Sequence, residues 1–451
     1  MQLHSLNPFS GERFASYTVH SDAEVGAVLK ESEKFQRKWN RKSIADRSTV
    51  LRLLADLLNR DIEALSILMA MEMGKPLRQG RAEIGKCASC CTWYADQLES
   101  MLAPRVVETD AHYSAVRFEA KGIWLAIMPW NFPFWQVIRC LVPATGAGNT
   151  LILKHASNVT GCALHLESIV NEAAGGSLLK VLKVPSDRVA EVISHPLITG
   201  VSFTGSEAAG RRVAAMAGAH IRPCVLELGG SNAFIVLADA YLEKAARDAV
   251  SGRFQNSGQS CIAAKRILVQ RSVYDSFIHL FIKEIELLKT GDPLSEETDV
   301  GPLAKASFCE QLQDQVDRSV KSGARIELGG SYLGVIYEPT LLSGALVDMP
   351  CMQEELFGPV AVVAVFEDLK EAISISNSTR FGLGVSIYTQ DVKSLEKHLG
   401  AFQEGAVFVN SIVKSDPRLP FGGVKDSGFG RELSIEGILE FTNVKTLYIS
   451  N

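Results

Sequence analysis

The sequence lacks a long apolar run. No stretch approaches the roughly 18 to 20 uninterrupted apolar residues that a spanning helix needs, and the opening MQLHSLNPFSGERF carries no apolar signal core. No membrane partner is expected, and the cytoplasm is the expected compartment. An excess of either charge is missing too: among 451 residues, 46 basic and 51 acidic side chains leave a net charge of −5. That excludes a nucleic-acid binder working through bulk positive charge. Repeats and low-complexity linkers are absent, while 47% apolar and 22% charged residues exclude a disordered chain or a stalk. The length suits two or three domains in close contact.

Familiar nucleotide and metal signatures are absent as well. There is no G-x-G-x-x-G, and Gly205 to Gly210 is followed by Arg211, so the phosphate-loop pattern also fails. Nine cysteines, an odd number scattered over a long chain, suit reduced thiols rather than a disulfide framework. Cys87, Cys90 and Cys91 form the tightest group, but no second Cys or His pair follows at ligand spacing, so no metal is expected.

What is present is periodicity. Apolar residues recur at helical spacing from Ser43 to Met73, where Gly74 and Pro76 predict the stop, and a second helical stretch covers 81 to 101. The segment Arg105 to Glu119 alternates as an exposed hairpin would. From Gly122 to about Val236, the runs IWLAIM, TLILK, LLKVLKV, GVSFTG, PCVLEL and AFIVL alternate with helical stretches. This predicts an α/β fold with a parallel sheet, and a similar alternation over roughly 230 to 415 predicts a second α/β domain.

Four motifs carry candidate chemistry. Asn131, in Pro129-Trp130-Asn131-Phe132-Pro133, follows a buried parallel strand, where it is either an oxyanion donor or a turn residue. Phe203-Thr204-Gly205-Ser206 opens a helical stretch. Gly205 permits close approach, and Ser206 with the free helix amides can hold a pyrophosphate or simply cap the helix. Glu227, in Leu226-Glu227-Leu228-Gly229-Gly230, is a carboxylate within an apolar strand: a general base, or a structural group held by the amides of the following glycines. Cys261, in Gly258-Gln259-Ser260-Cys261, sits on a glycine-bearing turn where a thiol nucleophile can expose its sulfur beside its own amide.

These motifs, with NPFSGE at 7–12, MGKP at 73–76, LK at 153–154, EELFGPV at 354–360 and PFGGVKDSGFGRE at 420–432, resemble the aldehyde dehydrogenase superfamily in order along nearly the whole chain. Within it, the forms at 129–139, 153–156 and 224–231 look like those of the short bacterial succinate-semialdehyde dehydrogenases. The resemblance implies a Rossmann-like cofactor domain over 1–103 and 121–228, a catalytic domain over 229–415, a return to the cofactor domain over 416–437, and oligomerisation segments at 104–120 and 438–451. It implies a homodimer or homotetramer that oxidises a small-molecule aldehyde with NAD or NADP.

Residue by residue, Cys261 matches the nucleophile, Asn131 the oxyanion donor, Glu227 the base that activates water, and Glu432 a carboxylate linked to proton escape. Trp130, Lys154, Ser157, Gly205, Ser206, Leu228, Glu355 and Phe357 match cofactor-binding positions. Ser157 stands where strictly NAD-dependent relatives often carry a glutamate that repels a 2′-phosphate, which implies use of both cofactors. Arg139 matches the arginine that holds the substrate's distal carboxylate, its alternative being a structural salt bridge. Trp135, Gln255, Ser415 and Arg418 complete the substrate set, with Ser415 and Arg418 in the variable loop before PFGG.

Four positions depart from the pattern. Gln255 replaces a second carboxylate-binding arginine, Cys140 replaces a lysine implicated in proton relay, and Val184-Pro185-Ser186-Asp187 replaces a glycine-bearing turn beside the adenine pocket. Ala263 is not a cysteine, so no disulfide can form two residues beyond the nucleophile. Broad aldehyde oxidation and a non-catalytic binding protein are the competing functions, the second opposed by the intact Cys261, Glu227 and Asn131 set.

Overall fold

A computed structural model describes all 451 residues. Two mixed, mainly parallel sheets dominate it. The first runs in the order Gly428–Phe429, Cys224–Glu227, Ile198–Thr204, Ile123–Met128, Thr150–His155, Leu179–Val181, and only the first of these strands is antiparallel to its neighbour. Every residue of Ile123–Met128 and Thr150–His155 is buried, because helices cover both faces. The chain lays strands down on one side of Ile123–Met128 and then returns to the other with Ile198–Thr204. That reversal opens a crevice beyond the carboxyl ends, where Asn131 and Ser206 follow their strands.

The second sheet has the order Arg325–Leu328, Thr340–Ser343, Val360–Phe366, Ala264–Gln270, Asn232–Val236, Val385–Tyr388, Val407–Val409. The run AFIVL, which ends the first alternating stretch of the sequence, pairs in this second sheet, within the span 229–415. Gly229 and Gly230, just after Glu227, carry the chain across; a Cβ on Gly230 would crowd the Cys261 carbonyl.

A third sheet pairs Tyr113–Ala120 with Thr442–Ile449 over eight residues and with Arg105–Val106 over two. The expected hairpin is therefore a short arm on a strand whose main partner is C-terminal. The helix expected from Ser43 to Met73 is broken into Ile44–Arg60 and Ile62–Met73. Asp61 leaves helical geometry at φ −100° and ψ 11°, yet its N–H still reaches Leu57 and its carbonyl still accepts from Leu65. Gly74, left-handed at φ 79°, ends the second piece. No helix is long and apolar enough to cross a membrane.

One buried ion pair positions the crevice. Lys75, from MGKP, is paired with Glu83 on the helix Leu77–Leu102, and both are buried. The ammonium also lies 3.8 Å from the centre of the Phe132 ring. Glu83 Oε1 accepts from the amides of Phe134 and Trp135, each at 2.9 Å. The helix Trp135–Gly146 has no side-chain cap of its own, so Glu83 supplies one from a neighbouring helix. From the other side, His155 Nδ1 accepts from Ala156, which leaves Nε2 to donate to the Pro133 carbonyl at 2.9 Å. The residues just after Asn131 are thereby held from two sides.

Glu83→Ala strands the buried Lys75 ammonium and two helix amides. A loss of roughly 3 to 5 kcal/mol in unfolding free energy is expected from urea denaturation, with part of it recovered in the double variant that adds Lys75→Met.

Candidate active site

Eight of the residues expected from the sequence line one cleft of about 700 Å³: Trp130, Asn131, Gly205, Ser206, Leu228, Cys261, Glu355 and Phe357. The cleft joins the carboxyl ends of the first sheet to the turn that precedes Ala264–Gln270 in the second. Its aromatic wall is built around Trp130, which stacks on Phe308 at 5.1 Å and meets the edge of Phe357 at 5.9 Å.

The turn before Cys261 holds three consecutive left-handed residues: Asn256 at φ 56°, Ser257 at φ 54° and Gly258 at φ 72°. Two of these carry side chains, so the conformation is imposed from outside. Arg253, fully buried, donates to the carbonyls of Val360, Leu356, Gly358 and Gly258, tying the turn to the EELFGPV segment. Its guanidinium is pushed down to about 9 by burial. Lys265 Nζ donates to the carbonyls of Ser260 at 2.7 Å and Cys261 at 2.9 Å, and pairs with Glu355 at 3.1 Å. Glu355 also accepts from the Gly230 amide. Glu355 thus braces the nucleophile turn as well as lining the cleft.

Asn131 is buried, its side chain donates through Nδ2 to the Gln259 carbonyl at 3.0 Å, and its main-chain carbonyl accepts from Asn256 Nδ2 at 2.8 Å. Its amide is thereby clamped, with one N–H left to face the cleft. The Cys261 thiol is pushed above its ordinary value by burial, while Arg139 and Lys265 pull it down. A protonated thiol in this setting needs a base.

Glu227 is buried with Oε1 unpartnered. Of the amides that follow it, Leu228 donates to Ser427 and Gly230 to Glu355, so the following glycines do not hold it. Burial raises its carboxyl well above the usual range; Glu432 adds to this, and Arg139 and Arg431 oppose it.

Arg139 is buried beneath the Phe421 ring with its Nε paired to Glu432, so the alternative read from the sequence, a structural salt bridge, is present. A buried cation without its own anion is too costly, and Glu432 is that anion, while Nη2 lies 3.5 Å from the Thr204 hydroxyl at the edge of the cleft. The structural salt bridge is what the fold contains. Glu432 is fully buried, its carboxyl raised by burial and lowered by Arg139. Cys140, standing where relatives have a lysine, is a buried thiol beside this pair, its proton held by burial and the charge of Glu432.

The remaining substrate candidates lie apart from the cleft lining. Gln255 is exposed and borders a second cavity with Gln79, Arg247 and Phe254. Arg418 is exposed and bonded through two nitrogens to Asp416. Trp135 and Ser415 are buried and bonded together, Nε1 to Oγ at 3.0 Å.

Lys154 and Ser157 stand at the end of the strand Thr150–His155, also outside the cleft lining. The arrangement fits a dinucleotide. Ser206 opens the helix Glu207–Ala219 without capping it, leaving its hydroxyl and the first amides for a pyrophosphate. Lys154 has the Ser186 hydroxyl at 3.3 Å as its partner and feels the charge of Lys305, two cations suited to a phosphate. Ser186 belongs to the atypical VPSD turn.

Sequence reading missed the supports: Lys75, Glu83, His155, Arg253 and Lys265. A signal existed in AKRILVQ, where two adjacent cations open a strand that is otherwise apolar.

Against known proteins, the aldehyde dehydrogenase family matches residues 1–447. The chain is 43% identical over 454 residues to a probable succinate-semialdehyde dehydrogenase [NADP(+)] of Synechocystis, with all of both chains covered. It is 42% identical over 461 residues to succinate-semialdehyde dehydrogenase [NADP(+)] of Mycobacterium avium, covering 100% of this chain and 97% of that one. The crystal structure of succinic semialdehyde dehydrogenase from Streptococcus pyogenes, in complex with NADP+ as the cofactor, superposes with a TM-score of 0.96 at 32% identity, with all of both chains covered.

The burial of Glu227 sets the sign of a pH effect. An unfolded carboxyl titrates near its ordinary value and the folded one higher, so the folded chain binds more protons between the two and loses stability as pH rises through that window. Glu227→Gln removes this cost. Its melting temperature at pH 8 is expected to exceed that of the wild type, corresponding to about 1 to 3 kcal/mol, and the two proteins should converge below pH 4.5.

Proposed function

The chain belongs to the aldehyde dehydrogenase family, and from that premise we propose that it oxidises succinate semialdehyde to succinate with NADP favoured over NAD. The single observation that carries the reading is the joint placement of Cys261 and Asn131 in one cleft, with the unpartnered Glu227 carboxyl buried at the end of an adjoining strand. The printed functions of the Synechocystis and Mycobacterium avium relatives supply the substrate.

In this reading Glu227 takes the thiol proton and passes it on to solvent, the Cys261 sulfur attacks the aldehyde carbon, and the oxygen becomes an oxyanion held by Asn131 Nδ2 and the Cys261 amide. A nicotinamide cofactor, when bound, supplies the hydride acceptor. The thiohemiacetal carbon, relieved of hydride, is left as a thioester. Glu227 takes a proton from water, whose oxygen adds to the thioester carbon; the C–S bond breaks and the carboxylate leaves. Ser206 and the following amides would hold the pyrophosphate, Trp130, Glu355 and Phe357 would surround the nicotinamide end, and Lys154 with Ser157 would meet the 2′-phosphate.

The three-stranded sheet is read as the surface where copies of the chain associate into a homodimer or homotetramer. It leaves Val106, Val444, Tyr448 and Ile449 exposed. Nine free thiols suit a reducing cytoplasm.

Initial rates of NADPH and NADH formation test the assignment. The wild type is expected to favour succinate semialdehyde over butanal by at least about tenfold in kcat/KM; a preference for butanal would leave the reaction class standing and remove the named substrate. Lys154→Ala is expected to raise KM for NADP about tenfold or more while changing KM for NAD far less. Arg139→Ala, which unpairs Glu432, should lose both aldehydes alike.

A further inference from the structure

A peptide N–H that must meet an oxyanion is only as well aimed, and only as strong, as the carbonyl at the other end of its peptide allows. We propose that Lys265 is the positioning residue of the oxyanion hole: its ammonium, seated on the Ser260 carbonyl, orients and polarises the peptide whose other end is the Cys261 N–H. The inference rests on the thiohemiacetal chemistry proposed above and adds to it a side chain that lies outside the cleft lining.

Lys265 is the second residue of the strand Ala264–Gln270 and is fully buried. Its three donors go to the Ser260 carbonyl at 2.7 Å, the Cys261 carbonyl at 2.9 Å and Glu355 Oε1 at 3.1 Å, so none is spare for a ligand. Those two carbonyls belong to the two peptide units that meet at the Cys261 Cα. One cation therefore fixes both planes around the nucleophile. The Cys261 N–H, in the same planar unit as the Ser260 carbonyl, has no acceptor within the protein. One residue earlier, the Gln259 carbonyl is held by Asn131 Nδ2 and Asn256 Nδ2. The two donors of the hole are thus set through successive carbonyls, one taken by amides and the other by a charge.

Orientation alone does not call for a charge. The Ser260 carbonyl already accepts from the Ala263 amide at 3.2 Å, and burying an ammonium is costly: burial pushes Lys265 down, with Glu355 opposing. What the ammonium adds is a hydrogen bond roughly twice as strong as a neutral one, passed on as polarisation to the N–H beyond it. That gain grows as the aldehyde oxygen becomes negative, so it is larger in the transition state than in the bound substrate. The same ammonium acts on the thiol. Against burial, Arg139 and Lys265 pull Cys261 down, and Glu355 and Glu227 push it up.

Two measurements test the assignment. The first is alkylation of Cys261 by iodoacetamide from pH 5 to 10 in the chain without cofactor or aldehyde, followed by peptide mass spectrometry. Lys265→Met is expected to slow alkylation at pH 7.5 about tenfold and Glu355→Gln to speed it about threefold; a lysine that only braced the turn would have both variants move the same way. The second is the single-turnover burst of NADPH, divided by the thiolate fraction that the alkylation profile gives at the same pH. Lys265→Met should lower this corrected rate about tenfold or more, alike for succinate semialdehyde and butanal, with KM for either changed less than about threefold. If Lys265→Met does not fold, the double variant Lys265→Met with Glu355→Gln, which removes the buried charges as a pair, is compared with Glu355→Gln alone, and the same losses should separate those two. A corrected burst rate equal to that of the wild type, or alkylation shifted in the same direction by both single variants, would overturn the role of Lys265 and leave the reaction standing. A wild type without a burst on either aldehyde would instead sink the reaction reading, and this proposal with it.

Discussion

Behind the nucleophile, one guanidinium serves two buried carboxylates. Arg139, Glu227 and Glu432 share a dry interior, and the net negative charge of that trio makes at least one proton cheap to hold there. The arrangement explains why Glu227 can stand without a hydrogen-bond partner on Oε1. Burial and the Glu432 charge raise the proton affinity of Glu227, which makes it a stronger base than an exposed carboxylate. It also explains why Arg139 cannot be free: releasing it from Glu432 would leave two anions facing each other with nothing between.

The cleft itself depends on charges that never touch it. Lys75 and Glu83 fix the start of the helix after Asn131, while Arg253 and Lys265 fix carbonyls around Cys261. Each of these side chains is buried, so its position is set by packing as firmly as any aliphatic residue. Cys261 and Asn131 are held on loops, and these buried donors give the loops the definition that strands would otherwise provide.

Much of this was legible in the sequence, and the rest was hidden for identifiable reasons. Strands such as IWLAIM and TLILK read directly, since parallel strands covered on both faces are continuous apolar runs. By alternation alone AFIVL continued the first stretch, because the two glycines that carry the chain across look like any turn. The break at Asp61 was invisible, since the hydrogen bonds and the apolar spacing continue through it. Cys261, Asn131 and Glu227 were each ambiguous alone, and it was their joint occurrence with the other motifs that pointed to a site. Arg139 showed the limit of local reading: the sequence said that a buried arginine needs an anion, but the anion came from a segment hundreds of residues away. Lys75 and Glu83 look like ordinary surface charges on amphipathic helices until their neighbours are known.

The C-terminal segment has a consequence for how the molecule comes to exist. Phe421 and Glu432 pair across a bridge that closes over Arg139, Tyr94 donates to the Ser434 carbonyl 340 residues further on, and Thr442–Ile449 completes the third sheet. A chain emerging from the ribosome carries Arg139 long before Glu432 exists. Until the last portion docks, the interior holds an uncompensated guanidinium and an open sheet edge, both of which disfavour premature closure and invite rescue by chaperones. Completion of the catalytic interior is thereby tied to the docking of this last portion of the chain.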